Sequence, residues 1–219
     1  MSDESRGMAG TGPLRIGVLI SGNGTNLQAI IDRIADGSLD AEIELVVSSR
    51  AGAYGLKRAG EAGIETLSMS PDLYAADPIA ADEVIACALR ERGVQYVVMA
   101  GYMRKVCDPL LLAFPNRIVN LHPALLPAFK GAHAIAEAWT RGVKVTGVTV
   151  HFANADYDCG PIIAQRAVTV DEGMGLEALE ARIHEVEHEL YPKVLQQIAE
   201  GRVHVTGDGR VRIDPPASA

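Results

Sequence analysis

The sequence has few cysteines, no cluster of basic residues and no long apolar run. Its three cysteines are far apart and form no Cys-x-x-Cys pair, so neither a disulfide framework nor a metal site is predicted. The net charge is -8 without any run of Lys or Arg, which argues against nucleic acid or an anionic membrane as a partner. No apolar run approaches the ~18 residues of a transmembrane helix, and the N-terminus lacks the apolar region of a signal peptide. We therefore expect a cytoplasmic protein; a homodimer is left open.

What the chain does contain is a regular alternation of apolar runs and amphipathic segments. The predicted early strands are 15–20, 43–47, 64–69 and 94–100. The predicted helices between them are 27–34, 55–62 and 79–92. Beyond residue 122, two closely spaced strands at 143–152 and 161–170 precede a long helix that begins at Leu176. We predict an α/β fold with a Rossmann-like open sheet, parallel in its N-terminal half with antiparallel additions in its C-terminal half, and helices on both faces.

One folded domain is expected. Residues 1–13 are polar and Gly-rich, and we predict a disordered tail there. The single domain is predicted to span residues 14–203. Residues 204–219 are predicted to form a C-terminal hairpin and tail, because Gly207-Asp208-Gly209 separates two short apolar segments.

A glycine-containing loop, SGNGTN at residues 21–26, separates the first strand from the first helix. A helix N-terminus offers unpaired N–H groups, and glycines allow an anion to approach them closely, so Gly24, Thr25 and Asn26 are candidate phosphate ligands. The loop matches neither the dinucleotide fingerprint nor a Walker A sequence. No Lys or Arg lies between residues 16 and 32, which favours a single phosphate monoester over a triphosphate. An ordinary turn with Thr25 or Asn26 as helix cap is the alternative.

Asn120 and His122 follow the apolar run 117–119. In a strand, side chains two residues apart point to the same face, so the amide and the imidazole aim at one place. The later loop 153–160 supplies Asp158, whose carboxylate would raise the pKa of His122 above ~6.5. Together the three side chains predict a site that stabilises an oxyanion without a covalent acyl-enzyme. Taken singly, Asn120 also fits a strand-end hydrogen bond and His122 a core histidine.

These segments together resemble the phosphoribosylglycinamide (GAR) formyltransferases. The resemblance spans residues 15–203 and rests on VLISGNGTNLQAIID, MAGYMRKV, NLHPALLPAFKGAHA, GVTVHF, DCGPIIAQ and EHELYP. It implies transfer of a formyl group from the co-substrate 10-formyltetrahydrofolate to the amine of GAR in purine synthesis, with no metal. His122 would be the protonated acid beside Asn120. Asp158 would keep His122 charged and help to collect the proton of the amine.

The resemblance also implies two sets of binding residues. The substrate phosphate would contact Gly24, Thr25, Asn26, His184 and Glu187. The folate would contact Tyr102, Met103, Arg104, Lys105, Val106, Asn120, Asn154, Ala155, Asp156, Tyr157 and Asp158. The chain departs from the family pattern at His184, commonly a glutamine, and at Asp156, commonly a glutamate. It also has no basic residue between residues 69 and 90, where family members often carry an arginine that meets the folate.

Two other functions remain to be compared. A formyltetrahydrofolate hydrolase would use the same core with water in place of GAR. It normally carries a preceding regulatory domain, whereas only residues 1–13 precede the predicted domain here. A non-catalytic phosphometabolite or folate-binding module is an alternative of a different class, and the intact set of Asn120, His122 and Asp158 argues against it.

Overall fold

The computed structural model describes residues 12–216. Nearly all of the predicted N-terminal tail, residues 1–11, lies outside the described residues, as do residues 217–219. No helix in the described range is long and apolar enough to cross a membrane.

A seven-stranded sheet forms the centre of the described structure. Its strands are β1 (Leu14–Ile20), β2 (Ala41–Ser48), β3 (Thr66–Ser68), β4 (Tyr96–Met99), β5 (Ile118–His122), β6 (Val145–Phe152) and β7 (Ile162–Thr169). Their order across the sheet is β3-β2-β1-β4-β5-β6-β7. The first five strands pair in parallel, whereas β6 and β7 pair antiparallel to their neighbours. The predicted mixed α/β sheet is therefore confirmed.

Helices cover both faces of this sheet. They are α1 (Thr25–Ala35), α2 (Tyr54–Glu61), α3 (Pro71–Ala76), α4 (Pro78–Glu91), α5 (Asp108–Ala113), α6 (Ala134–Thr140) and α7 (Leu176–Ala199). Apolar side chains of α1 and α7 pack on one face and those of α4 and α5 on the other. A separate hairpin, β8 (Val203–Val205) and β9 (Val211–Ile213), packs beside the first of these two cores.

The first strand shows why the strands of the parallel half are continuous apolar runs in the sequence. Ile16, Val18 and Ile20 belong to one core, while Leu19, between two of them, belongs to the other. Both faces of β1 are therefore buried, which is typical of a parallel sheet with helices on either side. Gly17 lies where α4 crosses, because a Cβ at this position would come within 2.3 Å of Leu89.

The strand order places a topological switch between β1 and β4. The chain moves outward from β1 to β3 on one side and then from β4 to β7 on the other. In open α/β sheets the crevice at such a switch, outside the carboxyl ends of the strands, is where ligands bind. The loops after β1, β4 and β5 all open at this edge.

Two short helices, α3 and α5, were not predicted from the sequence. Each has six residues and a proline in its first turn, and Ser70 caps α3 by accepting a hydrogen bond from the N–H of Asp72. Helices this short show no apolar periodicity, so only capping and proline signals could have indicated them.

Candidate active site

Asn120 and His122 lie at the carboxyl end of β5, where β6 pairs with it. Nδ2 of Asn120 is 3.1 Å from Nε2 of His151 on β6, and Nδ1 of His151 is 2.8 Å from the Phe152 carbonyl oxygen. Because a carbonyl oxygen only accepts, Nδ1 of His151 carries a proton, and Nε2 is the ring atom that faces the Asn120 amide. His151 was not among the predicted site residues, and it orients Asn120.

His122 is buried and its ring is fixed on one side by a backbone carbonyl. Its Nε2 donates to the carbonyl oxygen of Phe129 at 2.8 Å. Phe129 has a positive φ of 50°, a conformation that costs energy in a residue with a side chain. The loop after β5 therefore bends back over His122 and leaves Nδ1 as the ring atom that faces the rest of the site.

Asp158 reaches this site from the loop between β6 and β7, as the sequence predicted. Its Oδ2 accepts from the N–H of Gly131 at 2.9 Å and lies 3.5 Å from Nδ1 of His122. Its Oδ1 is 3.7 Å from Nε2 of His151. The backbone of Asp158 is left-handed, with a φ of 52°. The carboxylate of Asp158 thus faces the imidazoles of both His122 and His151, although His122 lies 36 residues earlier in the sequence.

Burial decides the direction of the pKa shift of His122 but is outweighed at Asp158. Burial lowers the pKa of His122 below its usual value, although the Asp158 charge and the Phe129 carbonyl both oppose this. The predicted pKa of His122 above ~6.5 is therefore wrong. Asp158 does raise this pKa, but burial outweighs it, and the sequence does not show that the ring is enclosed. Burial alone would raise the pKa of Asp158. The contact with His151, the N–H of Gly131 and the neighbouring His122 outweigh it and hold that pKa low.

The loop at residues 21–26, termed the phosphate loop below, leads from β1 into α1. Gly24 is the N-cap of α1 with a left-handed φ of 74°, no side chain caps the helix, and its first turn contains no acidic residue. The N–H groups at this end of the helix are therefore available to an anion, and the helix dipole is not offset locally. The ordinary capped turn considered above is not what forms.

Helix α7 crosses close to the phosphate loop. Nδ2 of Asn26 donates to Oε2 of Glu187 at 3.0 Å, while Oδ1 of Asn26 is buried without a partner among residues 12–216. Burial raises the pKa of Glu187, against the opposing effects of Asn26 and His184. The exposed His184 stacks on His188, with ring centroids 6.3 Å apart. Of the predicted phosphate residues on α7, Glu187 contacts the loop directly.

A pocket lies between the loop after β4 and the loop after β6. Its lining residues are Met99, Arg104, Lys105, Val106, Asn120, His151, Ala153, Asn154, Asp156, Tyr157 and Asp158. It thus brings together most of the predicted folate residues and two of the catalytic candidates, Asn120 and Asp158, while His122 reaches it through Asp158. Of the other predicted folate residues, Tyr102 is buried and its hydroxyl meets that of Tyr74, while Met103 is largely exposed. Ala155 is exposed beside the pocket.

The arginine expected before the fourth strand is absent, and Arg104 is the cation found near that position. Its guanidinium lies 4.9 Å from the ring centre of Tyr74 on α3. Sequence reasoning missed this contact because α3 was not predicted. Within residues 12–216, no three His, Cys, Asp or Glu side chains converge as metal ligands.

The two loops at the switch point are joined by Ser21. Its Oγ accepts from the N–H of Met103 at 2.8 Å and lies 2.7 Å from Oγ of Ser49. The phosphate loop and the loop after β4 are therefore in direct contact, so ligands in the two places would be neighbours.

Comparison with known proteins gives consistent matches. The formyl transferase family model matches residues 14–195. The chain is 41% identical over 184 residues to phosphoribosylglycinamide formyltransferase of Bacillus subtilis (strain 168), covering 84% of this chain and 94% of that protein. It is 40% identical to part of the human trifunctional purine biosynthetic protein adenosine-3, covering 90% of this chain but only 19% of that longer protein.

Solved structures give the same result. Glycinamide ribonucleotide transformylase 1 from Symbiobacterium toebii superposes with a TM-score of 0.88 at 51% sequence identity, covering 92% of this chain and 94% of that one. Phosphoribosylglycinamide formyltransferase from Bacillus halodurans superposes with a TM-score of 0.81 at 42% identity, covering 84% of this chain and 94% of that one. With the family model matching most of its length, this chain belongs to the formyl transferase family.

Proposed function

We propose that this chain transfers a formyl group from 10-formyltetrahydrofolate to the amine of GAR in purine biosynthesis. The observation that carries the proposal is a pocket lined by Asn120 and Asp158, with His122 3.5 Å behind Asp158, at the same edge of the sheet as the uncapped N-terminus of α1. One edge of the sheet thus offers oxyanion-stabilising groups and a phosphate cradle. The relatives at 41% and 51% identity carry the names of enzymes that act on GAR.

The proposed reaction is a direct transfer between two bound substrates. The amine nitrogen of GAR attacks the formyl carbon, and the electron pair of the C=O bond moves onto the formyl oxygen. The Asn120 amide and the protonated His122 stabilise that oxygen. The bond between the formyl carbon and N10 of the folate then breaks, and N10 receives the proton that the amine loses. Asp158 assists that transfer, directly or through a water molecule.

The hydrogen bond to Phe129 supports Nδ1 of His122 as the nitrogen that carries the acidic proton in the proposed reaction. Nε2–H is already donated to Phe129, so Nδ1 is the atom that meets Asp158 and, in this proposal, the formyl oxygen. Because burial lowers the pKa of His122, the ring depends on nearby negative charge to become protonated. Asp158 supplies that charge in the resting site, and the developing oxyanion adds to it during the reaction.

The site assignments extend to binding. We propose that Gly24, Thr25 and Asn26 hold the substrate phosphate, with Glu187 fixing the Asn26 side chain from α7 and His184 at the edge of that site. Residues 102–106 and 154–158 hold the folate. The proposed catalytic domain is residues 14–203, acting in the cytoplasm on small molecules. A homodimer is tested by light scattering on the purified chain.

The decisive experiment follows 10-formyltetrahydrofolate with the purified chain, first with GAR present and then with GAR omitted. Tetrahydrofolate is measured by absorbance and formylated GAR by mass spectrometry. Turnover that requires GAR and yields equal amounts of both products supports the transferase. Consumption that does not require GAR would instead indicate the hydrolase, and folate binding without turnover would indicate a binding module.

A further inference from the structure

The phosphate loop contains no basic residue, yet one basic side chain lies against it in the structure. Arg58 on α2 donates from Nε to the carbonyl oxygen of Asn23 at 2.9 Å and from Nη2 to Oδ1 of Asn23 at 3.4 Å. Its Nη1 donates to Oε1 of Gln28, one turn into α1, at 3.1 Å. A single planar guanidinium therefore joins the loop before the helix to the first turns of the helix itself.

Close backbone packing brings Arg58 to this place. The N–H of Gly55 donates to the carbonyl oxygen of Gly22 at 3.1 Å. A Cβ added to Gly24 would lie 2.7 Å from the Cα of Gly55, so the start of α2 rests directly on the phosphate loop. Arg58 follows Gly55 by three residues and thus lies on the same side of α2. The ring of Tyr54, 4.9 Å from the guanidinium, supports it from below.

The phosphate loop depends on contacts with other parts of the chain to hold its conformation. Gly24 caps α1 in a left-handed conformation and no side chain closes the first turn, so nothing within the loop fixes the direction of its N–H groups. Asp32 lies in the same groove as Arg58 and accepts from Gln28 at 2.9 Å. Arg33, the other arginine of this groove, is paired with Asp36 instead. Arg58 is therefore the arginine of the groove that binds the phosphate loop.

We propose that Arg58 is a positioning residue for the substrate phosphate. It holds the Asn23 carbonyl and side chain so that the N–H groups from Gly24 to Asn26 converge on the phosphate. Its charge also offsets that of Asp32. This inference rests on the proposed function, because it assigns the phosphate of GAR to this loop. Arg58 holds the loop through its forked geometry, so a lysine at this position keeps the charge but loses the joined hydrogen bonds.

The test compares Arg58→Gln and Arg58→Lys with the wild-type enzyme, and Lys57→Gln is the matched control. Lys57 is the preceding residue of α2; its Nζ pairs with the exposed Glu61 at 3.7 Å and lies 5.4 Å from the ring centre of Tyr54, and neither contact involves the phosphate loop. Arg58→Gln is expected to raise the KM for GAR about tenfold while kcat and the KM for the folate stay within about twofold. Arg58→Lys is expected to recover less than half of that loss, and Lys57→Gln to behave as wild type.

Three results would overturn the inference: an unchanged KM for GAR in Arg58→Gln, equal losses for GAR and folate, or full recovery in Arg58→Lys. Thermal unfolding of each variant shows whether a loss comes from misfolding, and Arg58→Lys keeps the test open if Arg58→Gln does not fold. Calorimetric binding of inorganic phosphate gives a readout that does not depend on catalysis. If wild type fails to use GAR, the proposed function fails, whereas weaker phosphate binding in Arg58→Gln would still support the role of Arg58.

Discussion

Asp82 is a buried carboxylate outside the proposed site. It lies on α4, and its Oδ2 accepts from the N–H of Cys107 at 2.6 Å, which fixes the end of the loop after β4. Burial raises the pKa of Asp82 to about 6, although the Cys107 N–H opposes this. The unfolded carboxyl titrates near ~3.9. Between these values the native state holds more protons than the unfolded state, so stability falls as pH rises through this window.

Asp82→Asn is expected to stabilise the protein at pH 8 by about 1–3 kcal/mol and to change little at pH 4, because the amide oxygen keeps the Cys107 hydrogen bond without a buried charge. Urea denaturation at both pH values measures the two free energies of unfolding. Glu83→Gln, an exposed neighbour on α4, is the control and should show no such pH dependence. A gain of equal size at both pH values would contradict this account.

Asp158→Asn is expected to lower kcat by roughly 10²–10⁴-fold while GAR affinity is largely retained. The amide cannot stabilise a protonated His122, and the phosphate loop is formed by other residues. Steady-state kinetics give kcat, and calorimetry gives the GAR affinity. Asp156→Asn in the same loop should cause a much smaller loss of kcat, because Asp156 is exposed and contacts neither imidazole. Turnover near the wild-type rate would remove Asp158 from proton management.

At the scale of single residues, the sequence predicts which side chains form the candidate site better than it predicts how buried they are. The spacing of Asn120 and His122, with Asp158 in a later loop, was enough to predict that the three side chains lie close together. The direction of the His122 pKa was not predictable, because burial depends on the loop that bends over it at Phe129. Arg58 was missed because no local spacing connects it to Asn23, 35 residues earlier.

The loop between β6 and β7 illustrates how one glycine fixes the shape of an element. A Cβ at Gly160 would lie 1.8 Å from the carbonyl oxygen of Phe152. The chain leaving the loop therefore runs directly against the end of β6, where the N–H of Phe152 donates to the carbonyl oxygen of Pro161 at 2.9 Å. This closure holds Asp158 in its left-handed conformation beside His122.

Gly160→Ala is expected to displace the loop and lower kcat by at least about tenfold, with a loss of about 1–3 kcal/mol in the free energy of unfolding. Kinetics and urea denaturation measure the two effects. Gly60→Ala on α2 is the matched control, since a Cβ there meets nothing within 4 Å and should leave activity unchanged. If Gly160→Ala were as active as Gly60→Ala, the loop would not depend on this contact.

Element types were predictable wherever an apolar pattern was long enough to be seen. The predicted strand at 143–152 and the long helix from Leu176 are present as β6 and α7. The third strand is shorter than the predicted 64–69, because only the residues of Thr66–Ser68 pair with β2. The length of a strand depends on how many residues its neighbour can pair with, and the apolar pattern of one segment gives no information about that neighbour.

For the molecule as a whole, the alternation of strands and helices predicted the fold class but not the strand order. Each crossover from β1 to β5 can add its strand at either edge of the sheet, and the sequence does not say which. The observed order creates the switch between β1 and β4 and so brings the phosphate loop beside the loop after β4. The two proposed substrate sites are therefore adjacent because of the strand order.

The contacts of the C-terminal hairpin indicate where the folded domain ends. The sequence predicts a domain boundary at residue 203, yet four half-buried side chains of the hairpin (Val203, Val205, Val211 and Ile213) pack against the core that includes α7. Arg202 also binds across its base, with Nε donating to the Asp214 carbonyl oxygen at 2.7 Å.

Truncation after Gly201 is therefore expected to lower the free energy of unfolding by about 2–4 kcal/mol, because the apolar area under the hairpin becomes exposed to water. Kinetic constants at low temperature should stay close to wild type, since none of the site contacts described above involves the hairpin. Arg210→Ala, at the exposed hairpin turn, is the control and should leave stability unchanged. An unchanged urea midpoint in the truncated chain would support the boundary at residue 203 and would mean that the hairpin contributes nothing to the core.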